Sequence, residues 1–140
     1  MGALIRINDQ GSKLCSGIGP HISSQVLVIP APFAADTACG NCWIEVIGHE
    51  ASDRSVGFSV TWQVFFAYNG TALTIKRVHE IVPFYADPTL TGLGFPGVAL
   101  APVVTATDEG DPALAVSFEG VMGLDVDIDV SYDKLQVGGS

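Results

Sequence analysis

Basic side chains are scarce in this chain. Six lysines and arginines stand against fifteen aspartates and glutamates in 140 residues, a net charge of −9. The imbalance falls mostly in residues 71–140, which carry −7 of it. Such a chain repels phosphate backbones and anionic headgroups, so neither a nucleic acid nor a membrane surface is expected as a partner. Long apolar runs are missing as well, and nothing approaches the ~18 residues of a membrane-crossing helix. Cysteine is sparse and odd in number: Cys15, Cys39 and Cys42 cannot form an even disulfide framework. The opening residues lack the basic and apolar regions of a secretion signal, and synthesis in a reducing cytoplasm is expected. No window shows capped 3.6-residue periodicity, which excludes a helical bundle. Nucleophile elbows, paired-histidine metal helices and phosphate-cradling glycine loops are all absent, so neither a catalytic residue nor a cofactor is expected.

What the chain has is alternation. Hydrophobic residues are 48% of it, enough for one domain of this length to hide about 70% of its unfolded surface. Across 55–68, Val56, Phe58, Val60, Trp62, Val64, Phe66 and Tyr68 alternate with smaller or polar residues, Phe65 excepted. Period two puts the large groups on one face of a strand. Asn69-Gly70 favours a two-residue hairpin turn, after which Thr71, Leu73 and Ile75 resume the pattern. A second pair is expected near the C-terminus, where 114–119 is followed by a glycine turn and an alternating run at 124–133. Its aspartates Asp125, Asp127 and Asp129 share the polar face. Further strands are expected at 3–7, 22–29, 42–49 and 98–106. Sixteen glycines and eight prolines supply the turns between them. The pattern predicts an all-β, antiparallel two-sheet β-sandwich, with the jelly roll as one arrangement. Residues 1–40 form an irregular N-terminal arm with the first strands, and 41–140 the sandwich core, together one domain.

Three constellations invite chemistry. Cys39-Gly40-Asn41-Cys42 has redox spacing, but its second cysteine runs into a strand rather than opening a helix. With Cys15 and either His21 or His49, the same thiols could make up a four-ligand zinc site; ordinary strand thiols are the expected reading. Asp125, Asp127 and Asp129 repeat at about 7 Å along a strand face. They offer calcium an oxygen row, although a solvated face is the simpler account. Glu45 and Glu50 are the one candidate for a glycosidase-type carboxylate pair. No metal is expected.

From about Trp43 to Val137 the layout resembles the C-terminal β-sandwich modules of tailed-bacteriophage virion proteins, tail-fibre and head-decoration proteins among them. The resemblance is carried by Cys42-Trp43-Ile44-Glu45-Val46-Ile47-Gly48-His49, by the strand at 58–66, by Asn69-Gly70-Thr71, and above all by the polar turn and Leu-x-Val strand at 106–120. It implies a non-enzymatic virion structural protein, made in the host bacterial cytoplasm. In the expected reading the chain is a capsid decoration or cement protein, and its partner is the major capsid protein or another virion protein. A tail-fibre or other tail-associated role is the alternative. The low charge content with Phe33, Phe65, Phe84, Tyr85 and Phe95 suggests apolar surface for a partner or sister subunit, with a homotrimer expected. A carbohydrate-binding module, stacking Trp43, Trp62 or Tyr85 on sugar rings, is the competing class, though Trp62 lies on the apolar face and is expected in the core.

Overall fold

The alternating segments become long antiparallel strands. The computed structural model describes residues 4–19, 23–30, 37–91, 103–108, 111–120 and 124–139. Its strands are β1 (Leu4–Ile18), β2 (Ser23–Pro30), β3 (Ala38–Glu50), β4 (Asp53–Tyr68), β5 (Leu73–Ala86), β6 (Val103–Asp108), β7 (Asp111–Glu119) and β8 (Val126–Gly139), with one helical turn, α1 (Pro88–Thr91). Five of them form a sheet in the order β1-β8-β3-β4-β5, and three form a second in the order β2-β7-β6. The all-β sandwich expected from the pattern is the fold observed. At ~3.3 Å per residue, the five-stranded sheet is about 45–50 Å long and the three-stranded one about 20–30 Å.

One face of the large sheet supplies most of the core. Cys42, Ile44 and Val46 of β3, Phe58, Val60, Trp62, Val64 and Phe66 of β4, and Val126, Ile128 and Val130 of β8 are all buried there. Val26, Leu27 and Ile29 of β2 and Leu114, Val116 and Phe118 of β7 meet them from the small sheet. Burying an aliphatic or aromatic side chain stabilises a fold by roughly 1.5–3 kcal/mol each, so this interface dominates the energetics. Phe58 is its pivot. Its ring lies parallel to that of Phe118, 5.5 Å away, and stacks on Phe84 at 6.3 Å. The same ring covers Gly48, its cross-strand partner, so closely that a Cβ there would collide with it.

Several expectations are corrected. Residues 4–15 are no irregular arm: they pair with β8 position by position, from Leu4 opposite Gly139 to Cys15 opposite Ile128. Their apolar alternation is faint because β1 is an edge strand whose side chains are largely solvated. β7 and β8 are not a hairpin but lie in different sheets, with the chain crossing the sandwich between them. β7 is the central strand of its sheet, and Ala113, Leu114, Ala115 and Val116 are buried on both faces. The turn after Tyr68 spans four residues, since Tyr68 pairs with Leu73. Gly70 takes the left-handed conformation there (φ 95°), and Asn69 Oδ1 accepts hydrogen bonds from the Thr71 and Ala72 N–H groups. That side-chain cap favours the longer loop over a tight two-residue turn.

β1 pairs with β8 and β2 with β7, the nesting with which a jelly roll begins. A complete roll would go on to pair β3 with β6, whereas here β3 pairs with β4 and β4 with β5 in one sheet. β5 ends the large sheet irregularly, with register shifts near Thr61, Trp62 and Phe65 of its partner. Its residues 76–83 are exposed on both faces.

Candidate ligand-binding face

The second face of the large sheet is open, and the strand registers set its side chains in rows. Starting from β1 and crossing β8, β3, β4 and β5, one row reads Gln10, Asp133, Trp43, Gln63, His79. The next reads Asn8, Leu135, Asn41, Phe65, Arg77. On the other side lie Ser12, Ser131, Glu45, Thr61, Val82, and beyond them Leu14, Asp129, Ile47, Ser59, Tyr85. Residues directly opposite on antiparallel strands share a face, so the grid follows from pairing alone. Phe65, the one large residue that broke the alternation in β4, is 38% exposed here.

Three shallow clefts cut this face. One, about 240 Å³, is lined by Asn41, Gln63, Phe65, Arg77 and His79. Within it Gln63 Nε2 donates to Asn41 Oδ1 at 3.3 Å. A second, about 300 Å³, runs between Trp43, Glu45, Thr61, Ser131 and Asp133. Asp133 Oδ1 is buried there, with no hydrogen-bond partner among the described residues. The third, about 260 Å³, gathers His49, Ser55, Ser59, Tyr85 and Asp87 among others. Its residue types suggest a catalytic set, but the hydrogen bonds lead elsewhere. His49 Nδ1 lies 2.8 Å from the Glu50 carbonyl oxygen, and Ser55 Oγ donates to Asp53 Oδ1 at 2.6 Å. Asp87 accepts from the Gly57 N–H at 2.7 Å and from the Tyr85 hydroxyl at 3.2 Å. The Asp87 carboxylate holds the Tyr85 phenol above its ordinary pKa. Nucleophilic catalysis needs a serine within reach of its base, and none of these contacts supplies that.

The sequence's other candidates are dispersed. Cys39 lies on the open face opposite Val137, Cys42 on the core face opposite Lys134, and Cys15 opposite Ile128. Cys15 and Cys42 are thus three same-face rows apart along the strands, about 20 Å at ~3.3 Å per residue, which excludes a shared zinc. All three are free thiols. Cys15 Sγ–H donates to the Val26 carbonyl. Burial pushes the Cys42 thiol up to about 12, so it stays neutral and packs as a small apolar residue. Asp125 and Asp129 are exposed, while Asp127 Oδ1 accepts from the Gly17 N–H at 2.8 Å. No group of three or more metal-ligating side chains gathers among the described residues. Glu45 and Glu50 are five residues apart on one strand, about 17 Å, too far for the ~5–9.5 Å of a glycosidase pair.

Among the interface candidates, Phe84 is half-buried against Phe58 and so belongs to the core margin, whereas Tyr85 is 60% exposed. Trp62 is in the core and Trp43 is half-buried on the open face. Phe33, Phe95 and His21 lie outside the described residues. Sequence reasoning missed the cluster of Asn41, Gln63, Arg77 and His79. Only the registers of β3, β4 and β5 bring those positions together, and Phe65 facing away from the core was the one signal of it.

The core face holds a polar island. Lys134 is 1% exposed in the row Asp9, Lys134, Cys42, Val64, and the Tyr132 hydroxyl donates to Asp9 Oδ2 at 3.1 Å. Burial lowers the Lys134 pKa while Asp9 opposes that shift. Burial first, then the bond to Asp9, raises that of Tyr132. The island clips β1 to β8.

No protein-family model and no curated protein matches the chain. Among the solved structures that can be laid on it are two tailspike proteins. The Acinetobacter phage vB_ApiP_P1 tailspike protein aligns with 91% of this chain and 21% of its own length, at 14% identity and a TM-score of 0.44. The tailspike protein of Acinetobacter baumannii phage AM24 aligns with 98% of this chain and 26% of its own length, at 11% identity and a TM-score of 0.39. The chain thus spans about a fifth to a quarter of either tailspike. Neither alignment is tight enough to carry a fold or an activity across.

Proposed function

We propose that the chain is a non-enzymatic structural module of a tailed-bacteriophage virion, carried on the tail, whose open sheet face grips a ligand outside the particle. The observation that carries the reading is the grid on that face. Aromatic side chains (Trp43, Phe65, Tyr85) alternate with amides, hydroxyls and charges in shallow clefts, a composition suited to holding rather than converting a ligand. The phage setting rests on the sequence resemblance of residues 43–137. The tail is preferred to the head for a physical reason. The buried centre of a stable protein interface is depleted of charge, whereas Leu14, Ile47, Phe65 and Val137 stand in rows interrupted by polar and charged residues. A homo-oligomer, with a trimer as the working stoichiometry, remains part of this reading because β5 exposes Val78, Ile81 and Val82.

Immunogold labelling of particles that carry the chain tests the placement. Gold on the tail supports it, and gold spread over the head returns the chain to capsid decoration. Hydrolysis of a saccharide by the purified chain would overturn the non-enzymatic part.

A further inference from the structure

We propose that the cleft between β3, β4 and β5 on the open face binds a carboxylate group, with Arg77 as its ion-pairing residue. Asn41, Gln63 and His79 are flanking donors, and Phe65 is an apolar wall for the body of the ligand. The inference rests on the reading of this face as a binding surface and names the chemistry it selects.

Three observations lead there. The chain carries fifteen acidic side chains, yet among the described residues none lines this cleft, while one of only six basic residues does. Among the described residues Arg77 makes no ion pair. Gln63 donates to the Asn41 oxygen, which takes up one of its two lone pairs and leaves the Asn41 NH₂ as a donor for a ligand. The lining is therefore rich in donors in a molecule whose overall field repels anions, an arrangement that selects one well-placed negative charge.

A single planar guanidinium fits a carboxylate through two parallel hydrogen bonds. A phosphate dianion would need more cationic partners than this cleft offers. The cleft, about 240 Å³, has room for a ligand larger than a simple ion. Phe65 offers a flat apolar surface for a ring or chain attached to the acid.

The test is a ¹⁵N–¹H spectral titration of the whole chain. Glucuronate carries the charge on a sugar ring, glucose is the same ring without it, N-acetylglycine is a peptide-type carboxylate, and sulfate is a competing anion. Amide shifts centred on residues 41, 63, 65, 77 and 79 are expected with a carboxylate, at least tenfold tighter for glucuronate than for glucose. Arg77→Ala should weaken carboxylate binding at least tenfold and Arg77→Lys partly, both with wild-type circular dichroism. If the natural acid is a sugar, glucuronate should bind the wild type more tightly than N-acetylglycine and lose more on Phe65→Ala; the reverse ranking of the two wild-type affinities would assign a peptide acid. Equal response to glucose and glucuronate, tighter binding of sulfate than of either carboxylate, no response at all, or an unaffected Arg77→Ala would each overturn the site. Adhesion of virions without a carboxylate response would remove this site and leave the attachment reading standing. A carboxylate response from a chain that labels no tail would do the opposite.

Discussion

Replacing Phe58 and Gly48 singly and together tests the packing at its most specific point. Phe58→Ala removes a ring held between Phe118 at 5.5 Å and Phe84 at 6.3 Å, in a fully buried position. A truncation of that kind costs about 3–5 kcal/mol. In a domain of this size each kcal/mol moves the melting point by about 2–4 °C, so a fall on the order of 10–15 °C is expected. Gly48→Ala in the wild-type background forces a methyl into the space the Phe58 ring occupies, costing roughly 1–3 kcal/mol. In the Phe58→Ala background the obstacle is gone. The added methyl then refills part of the cavity and removes the entropic weakness of glycine in a strand. The double variant should therefore be at least as stable as Phe58→Ala alone, a coupling of about 1–3 kcal/mol. Urea unfolding followed by circular dichroism measures all four corners of the cycle. Costs that add to within about 0.5 kcal/mol would show that the ring does not rest on Gly48, and the reasoning would fail.

Other tests read other parts of the fold. Val60→Asp buries a carboxylate at the centre of the interface and should abolish folding; a cooperative melt like that of the wild type would contradict the placement of β4. Asn69→Ala frees the Thr71 and Ala72 N–H groups and should lower stability by about 1 kcal/mol in a denaturant titration. Cys42 gives a pH dependence: its pKa is raised from 9.0 to about 12 on folding, so the folded state binds the proton more tightly. That contribution is intact below pH 9 and is lost as pH rises toward 12, at up to ~1.4 kcal/mol per unit. The raised Tyr132 pKa acts in the same direction above its ordinary 10.0, and the lowered Lys134 pKa acts against both near 10.5. The decisive quantity is thus the difference between wild type and Cys42→Ala, whose stability should fall less steeply above pH 9. Parallel pH profiles would argue against a buried thiol.

The sandwich was legible because burial writes itself into sequence as period two. Val56 to Tyr68 faces the core on alternate residues, and the chain shows it. β1 was legible only at its start, as the strand expected at 3–7, for the same reason inverted. An edge strand with solvent on much of both faces has little burial to encode, and its register with β8 reveals its full length. The assignment of β7 and β8 to separate sheets was equally hidden, since alternation reports which side of a strand is wet and not which neighbour it pairs with. The donor cleft brings together residues from three strands, so local pattern could show none of it except Phe65, whose outward position contradicted its apolarity. The cysteines show the converse. Spacing put Cys39 and Cys42 side by side, but an odd offset along a strand sends them to opposite faces.

The two rims of the large sheet are unequal in what they permit. Along β5 the ladder is broken repeatedly, so a straight neighbouring chain cannot keep step with it for more than a few residues. Along β1 twelve consecutive positions stay in step, with no proline to interrupt them. Unwanted fibril-like stacking, where it begins, begins on the β1 side, and a single proline placed at an outward-facing amide there would close that rim without disturbing the other.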